Sequence, residues 1–414
     1  MSRAAAPVRP AGLAGLCLLL TCLGAPVRAA ETPVQLSAPE ATGERVSELT
    51  FRSSTAVVRT RQHNPLRAAR IFSYLRVAQW RALQTPAGAA ADAPAQAALL
   101  DISLARTAAW LLPQEAQGAW QTTSLRAQQG LANVAQQTAL QDAAESVSAA
   151  LLQRSLTDGA DARRRPLAKP TWQPGVWART PPLFAEQPTE PQAPQWTPWC
   201  AGTEALQPEP PPAYGSARWI ADMREVMTVR AALTPAQKES AERWNLDAGS
   251  ITPPGVWNAV ALDHLQQHPR PPAQRAELLA RLNMAMHDAL VAAWRIKVQY
   301  WGERPITAIQ REWQPDFQPW LVTPPFPGYV SGHSTVSGAA AAVLTFYAPE
   351  AAPRWRALAE EASMSRLWGG IHPRYDNDAG LELGQQVGRL CLPQRPSSPP
   401  AAGGIAAAAQ GTSQ

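Results

Sequence analysis

Across most of this 414-residue chain apolar residues recur three and four positions apart, and no stretch of useful length alternates apolar with polar. The first spacing draws one face of a helix; the second would draw a strand. "NPLRAARIFSYLRVAQWRAL" carries the helical spacing with Pro65 at a helix start, and "APAQAALLDISLARTAAWLL" and "LANVAQQTALQDAAESVSAALLQ" repeat it. The pattern returns from about residue 220 to 390. The fold class that follows is all-α, with helices packed in bundles as one large domain or two closely packed halves. A hydrophobic content of 45% is enough for a sizeable core.

What interrupts the helices sets the organisation. Residues 1–30 read as a secretory signal peptide: Arg3 and Arg9 precede an apolar run from about Leu13 to Leu23, and small residues lie near Ala29. Residues 31–164 form an N-terminal helical region. Residues 165–215 are dense in Pro and Trp, as in "PTWQPGVWARTPPLFAEQPTEPQAPQWTPWC". Their prolines forbid regular helix or sheet, while the tryptophans carry much area to bury. This segment reads as an extended strap over the helical body; a Trp face for sugar or peptide is the alternative. Residues 216–392 form the second helical domain, and 393–414 are a low-complexity, disordered tail. No later segment has the length of a membrane span. The mature chain is thus expected to be exported, periplasmic or secreted. Loss of the leader's Arg3, Arg9 and Arg28 takes the formal net charge from +5 to +2, too little for a nucleic-acid reader. Cys17 and Cys22 leave with the leader; Cys200 and Cys391 remain, and an exported context leaves both a disulfide and two free thiols open.

The chemistry is concentrated in the second domain. A helix from Ala273 to about Gly302 presents Leu279, Leu282, Met286, Leu290 and Trp294 on one face, and the next position on that face is Lys297, one of only three lysines. A buried cation needs an anion, although a lysine at a helix end can also snorkel outward. Pro305 is expected to stop this helix, with Arg304 following on the same side. In "PFPGYVSGHSTVSGAAAAVLTFY", Ser331 or Ser334 is an N-cap, and the N–H groups near Gly332 and His333 then form an anion-binding helix end. The serine-hydrolase elbow is rejected here, since it needs Gly where Val336 stands and a preceding strand. Trp355, Leu358, Ala362 and Arg366 share another face. In "RLWGGIHPRYDNDAG", His372 precedes Pro373, read as a first helical residue, and Asp376 lies four positions on, where its carboxylate can orient the imidazole. Gly380, Gly384 and Gly388 repeat every four residues, so that helix can pack very closely on a neighbour. Together these residues read as a tetrahedral-oxyanion cage with a nucleophile and an acid. His264 and His268 lack the glutamate of a zincin helix and read as surface. His287 and Asp288 lie off the Lys297 face.

The spacings Lys297-x6-Arg304-Pro305, Ser331-Gly332-His333 and Ser365-Arg366-x5-His372-x3-Asp376 resemble the three-part signature of the vanadium haloperoxidase and type 2 phosphatidic-acid phosphatase (PAP2) superfamily. "WNLDAGSITPPGVWN", "MAMHDALVAAW" and "PGVWARTPP" are similar to its soluble, secreted haloperoxidase-like branch. The resemblance covers roughly residues 170–390. Val330 stands where the superfamily usually has proline, with a small backbone effect expected, and Val256 where the branch often has histidine. The resemblance implies that His372 binds vanadium axially or attacks phosphorus. It implies that Lys297, Arg304, Ser331, Gly332 and Arg366 hold the oxyanion, that His333 is the acid–base, and that Asp376 orients His372. Trp294 and Phe326 stand at the spacings of the halide pocket in chloride-oxidising relatives, or are core aromatics.

Two chemistries fit this resemblance, because five-coordinate vanadate is similar to the transition state of phosphoryl transfer. In the first, a vanadium-dependent haloperoxidase, the cofactor is vanadate, the partners are hydrogen peroxide and halide, and Lys297 polarises the bound peroxide. In the second, an acid phosphatase, a soluble phosphomonoester forms a phosphohistidine at His372 and no cofactor is needed. A non-catalytic phosphate or vanadate binder is a third reading, against which the pair His333 and His372 argues. The branch often forms homodimers. Haloperoxidase is the leading expectation.

Overall fold

The computed structural model describes residues 54–393 apart from 56, 113–123, 126, 129, 130, 132 and 164. The expected leader, and the expected tail beyond residue 393, lie outside the described residues. Four helices with described bounds precede the strap: α1 (Pro65–Leu83), α2 (Pro86–Ala90), α3 (Ala93–Leu111) and α4 (Val134–Thr157). After it come α5 (Ala217–Ala231), α6 (Pro235–Arg243), α7 (Thr252–Gln267) and α8 (Pro272–Tyr300). The chain closes with α9 (Pro305–Glu312), α10 (Gly332–Tyr347), α11 (Ala352–Trp368) and α12 (Arg374–Leu390). There is no strand among the described residues, and the fold is all-α; the isolated antiparallel bridge Val176–Gly302 joins the strap to the body.

α8 is the axis. Ala and Leu recur on nearly every side of it, and Leu278, Leu282, Ala285, Met286, Ala289 and Ala293 are all buried. A helix apolar around its circumference belongs in the middle of a bundle, and α8 packs against α1, α7, α10 and α12. Polar ties fix its register: Asn258 of α7 and Asn283 of α8 exchange reciprocal amide hydrogen bonds at 2.7 and 2.9 Å. Such a pair satisfies both buried amides, which would otherwise be costly. Across the bundle the Trp257 indole donates to Ser337 Oγ at 3.0 Å.

The four-residue glycine repeat of α12 lies against α10. A Cβ on Gly384 would stand 2.0 Å from the Thr335 carbonyl oxygen, and one on Gly380 2.8 Å from that of Ser331. The helices can meet at this distance only because those positions carry no side chain. The contact brings the start of α10 beside the start of α12.

Two helix ends differ from expectation. α8 ends at Tyr300, where Trp301 turns left-handed (φ 49°), and Pro305 begins the next helix rather than stopping this one. The strap supplies the reason: the Trp301 carbonyl accepts from Trp177 N at 2.6 Å, and Gly302 pairs with Val176, so extended chain replaces the next helical turn. At α12, Pro373 is the cap and Arg374 the first helical residue. The Tyr329–Val330 peptide is cis. His264, expected at the surface, is buried, with its ring stacked on His268 at 4.4 Å and edge-on to Trp355 at 5.3 Å.

The strap is extended chain with two short 3₁₀ turns, Ala193–Gln195 and Thr203–Ala205. It is tied down by Asp288 of α8, whose carboxylate accepts the backbone N–H groups of Trp199 and Cys200 at 2.9 and 2.7 Å. Cys200 is disulfide-bonded to Cys391 just past α12, closing a separation of 191 residues. His287, beside Asp288, donates to it at 2.8 Å, so this pair serves the strap and stands apart from the cage.

Candidate active site

Each functional side chain is delivered by a helix end. Lys297 comes from the last turn of α8. It is 1% exposed, and its Nζ donates to the carbonyls of Pro327 and Gly328 at 2.8 and 2.7 Å. Arg304 caps α9 and is fully buried; Nε donates to Phe326 O at 2.9 Å, and Nη1 to Ile371 O at 2.8 Å and to His372 Nε2 at 2.9 Å. Its Nη2 has no hydrogen-bond partner within the protein. Arg366, from the last turn of α11, donates to Ser365 Oγ at 2.9 Å and Ala241 O at 3.2 Å.

The oxyanion-binding helix end is α10. Ser331 is its N-cap, accepting from Ser334 N at 3.4 Å, so of the two candidate serines Ser331 has the role. The Ser331 N–H donates to the Asp376 carbonyl at 2.9 Å, which locks α10 to α12 at the site. Gly332 leaves its face open to the pocket; a Cβ there would meet the Trp294 ring at 3.4 Å. His333 lines the same pocket, and its buried Nε2 has no hydrogen-bond partner.

His372 sits between Arg304 and Asp376. A guanidinium can only donate, so Nε2 is the acceptor and the ring proton lies on Nδ1, which donates to Asp376 Oδ2 at 2.7 Å. The carboxylate thereby holds a tautomer whose Nε2 lone pair points at the cations and accepts from Arg304.

Electrostatics follow from burial. Lys297, Arg304, Arg366 and Asp376 are all buried, and Asp376 interacts with Lys297 and Arg304. Burial, with Arg304 adding to it, holds the Lys297 ammonium well below its ordinary range. Burial pushes Arg304 down to about 10, and burial with Arg304 nearby pushes Arg366 down to about 9. Burial also depresses both His333 and His372 strongly, with the neighbouring cations adding to it. The Asp376 carboxyl is raised to about 7 by burial, against the pull of Lys297 and Arg304. Buried cations in excess are stabilised by an anion among them. The unpartnered Arg304 Nη2 and the α10 N-terminus supply donors, the His372 lone pair a nucleophile, and the unpartnered His333 Nε2 an acid–base group, a set suited to a tetrahedral oxyanion.

Above the cage the Trp294 and Phe326 rings lie 4.9 Å apart, and Lys297 Nζ is 5.7 and 5.1 Å from their centroids. Of the residues expected at the site, Trp294, Phe326, Gly332, His333, Arg366 and His372 line one pocket, and Arg304 and Asp376 are hydrogen-bonded to His372 behind it. Sequence reasoning missed part of its wall: Asp247, which opposes the depression of both arginines, Thr189 of the strap, and Asn64, Pro65 and Leu66 at the start of α1. "WNLDAGS" contained Asp247 in plain view; nothing in the α1 sequence signalled proximity to a site so distant along the chain.

A family model described as the VCPO second helical-bundle domain matches residues 277–352 and 351–396. No curated protein sequence matches the chain. Among solved structures, the fold is similar to that of a bacterial vanadium-dependent iodoperoxidase at 23% identity and a TM-score of 0.70, covering 85% of this chain and 97% of the other. It is also similar to a bacterial vanadium-dependent chloroperoxidase in its apo form at 16% identity and a TM-score of 0.63, covering 78% and 91%. A holo form of such a chloroperoxidase aligns at 16% identity and a TM-score of 0.58, covering 84% and 91%.

Proposed function

Residues 277–396 belong to the vanadium haloperoxidase and PAP2-like superfamily and the chain has the haloperoxidase fold, and from that premise we propose that this protein is a vanadium-dependent haloperoxidase. The observation that carries the reading is the His372 lone pair, fixed by Asp376 and aimed into a group of three buried cations. Vanadate fits this donor set: Lys297, Arg304, Arg366, Ser331 and the Gly332 N–H would hold its oxygens, and His372 Nε2 its vanadium. When bound, vanadate supplies a Lewis acid that activates hydrogen peroxide toward attack by halide.

The protein's own groups do the rest. Lys297 and Arg304, both buried, neutralise oxygen charge where such interactions are stronger than in bulk water. His333, kept neutral by burial and by Arg366, can accept a proton from peroxide on the pocket side. Trp294 and Phe326 give a halide an apolar wall beside the Lys297 ammonium. The buried Cys200–Cys391 disulfide supports an exported protein, since such bonds persist in oxidising compartments.

The test is one preparation assayed two ways. After reconstitution with orthovanadate, peroxide-dependent bromination or iodination of a dye is expected. Vanadate-free protein is assayed in parallel for phosphate release from an aryl phosphate. Phosphate release blocked by vanadate, without halogenation, would replace the reading with an acid phosphatase acting through His372. Vanadate binding with neither activity would leave only an oxyanion binder.

A further inference from the structure

The backbone of one strap residue holds both pocket aromatics. The Thr189 carbonyl accepts the Trp294 indole N–H at 2.8 Å, and the Thr189 N–H donates to the Pro325 carbonyl at 3.3 Å, one residue before Phe326. Thr189 itself lines the pocket. Its neighbour Glu190 is 6% exposed and lies in a left-handed conformation (φ 46°), so its place must be held by side-chain contacts. Those contacts come from α1. Arg67 grips the Glu190 carboxylate with two N–H groups, Nε and Nη2, both at 2.9 Å, and Asn64 Nδ2 donates to it at 3.0 Å. A forked guanidinium–carboxylate pair fixes orientation as well as position. Asn64 also caps α1 by accepting from Leu66 N and Arg67 N, both at 3.1 Å, so the helix start and the grip on the strap are one structure.

We propose that Asn64, Arg67 and Glu190 are positioning residues that set halide preference, acting through the Thr189 backbone on Trp294 and Phe326. The proposal gives the N-terminal helical region a part in the site, and it rests on the haloperoxidase reading. The Trp294 ring touches the Gly332 face and stands over Lys297, so a displacement of the indole alters the wall a halide meets. Most of the carbonyls that hold the anion-binding cations, those of Pro327, Gly328, Ile371 and Ala241, lie outside the halide wall, and Arg304 alone shares one with it, at Phe326; the wall can therefore shift with a smaller change in oxyanion affinity.

The experiment is a double-mutant cycle on the full-length protein with Glu190→Ala and Trp294→Phe, the second of which removes the indole donor. KM and kcat for iodide and bromide, and the Kd for orthovanadate by calorimetry, are measured for all four proteins. Glu190→Ala is expected to change the bromide-to-iodide ratio of kcat/KM about five- to tenfold, mainly through KM, with vanadate Kd within about threefold, and to have a clearly smaller effect once Trp294 is Phe and only the Phe326 route remains. Glu190→Gln keeps an oxygen for Asn64 and Arg67 and should restore most of the parent ratio. Should Glu190→Ala fail to fold, Asn64→Ser keeps the cap acceptor, loses the donor to Glu190, and should move the ratio the same way. A second readout needs no activity: in vanadate-free protein labelled with 5-fluorotryptophan, the ¹⁹F resonance missing from Trp294→Phe should shift in Glu190→Ala. An unmoved resonance, multiplicative effects of the two substitutions, or a vanadate Kd that changes as much as KM would overturn the proposal while the function stands. A parent protein that oxidises no halide would overturn the function itself and the halide role with it.

Discussion

Arg304 Nη1 and His372 Nε2 meet at 2.9 Å, with the guanidinium donating to the lone pair that the site otherwise offers to a ligand. A group that bonds His372 must displace that hydrogen bond, and Arg304 is then free to turn its N–H toward the incoming oxygens. Arginine and histidine therefore act as one binding unit for an oxyanion, the arginine donating to its oxygens and the histidine bonding its central atom, rather than as two independent contacts.

The first prediction follows from that pairing. His372→Ala removes the lone pair that Asp376 fixes toward the cations and should lower either halogenation or phosphate release by at least about 1,000-fold. Lys297, Arg304 and Arg366 remain, so phosphate or vanadate should still bind, more weakly, in a calorimetric titration. Full activity in this variant would remove His372 from the mechanism.

Asp376→Asn tests the tautomer. The carboxylate accepts from Nδ1 at 2.7 Å and so keeps the proton off Nε2. An amide can instead donate to Nδ1, which would move the ring proton to Nε2 and block the lone pair. Vanadate affinity should fall by about 10- to 100-fold, the usual cost of losing the partner that orients a metal-binding histidine. Ring ¹⁵N shifts of His372 in the unloaded protein should report the change of tautomer directly.

Much of this site was legible in the chain because helix ends carry chemistry in a recognisable form. Lys297 and Arg366 each terminate an apolar face, a combination that has no comfortable place in a core without an anion. Ser331-Gly332 marks a helix start, and the His372–Asp376 spacing is one helical turn. The Pro/Trp segment was readable as a strap for a similar reason: proline forbids regular pairing while tryptophan demands burial. What local sequence could not disclose were relations across distance. Nothing near Asn64 or Arg67 points to Glu190, more than 120 residues away, and Asp247 lies exposed in an irregular loop with no periodicity to read. The helix stop assigned to Pro305 failed for the same reason, since the strap's backbone, not the proline, ends α8.

Gly384→Ala should couple packing to the site. The added methyl would stand 2.0 Å from the Thr335 carbonyl oxygen, which is helix backbone and cannot rotate away. α10 and α12 must separate, at a cost of about 1–3 kcal/mol or more. The same separation pulls on the Ser331 N–H to Asp376 carbonyl bond, 2.9 Å long at the site. Thermal unfolding should therefore show a lower Tm, and calorimetry a weaker oxyanion affinity; a lowered Tm with unchanged affinity would show that the contact serves stability alone.

The last prediction concerns pH and a group outside the cage. Burial lowers the pKa of His264, its stacked neighbour His268 and the nearby Arg270 and Arg354 add to that, and Glu350, 3.6 Å from Nε2, opposes it. In the unfolded chain the same imidazole titrates near 6.5. Below that value the unfolded state binds a proton that the folded state refuses, so this residue's contribution to stability is present above about pH 6.5 and is lost as pH falls toward the depressed folded value. His264→Gln removes the titration but leaves the other histidines in place. Its Tm should drop less than the parent's between about pH 7.5 and pH 5. Equal drops in the two proteins would mean that Glu350 moves in to pair with protonated His264 and cancels the burial penalty.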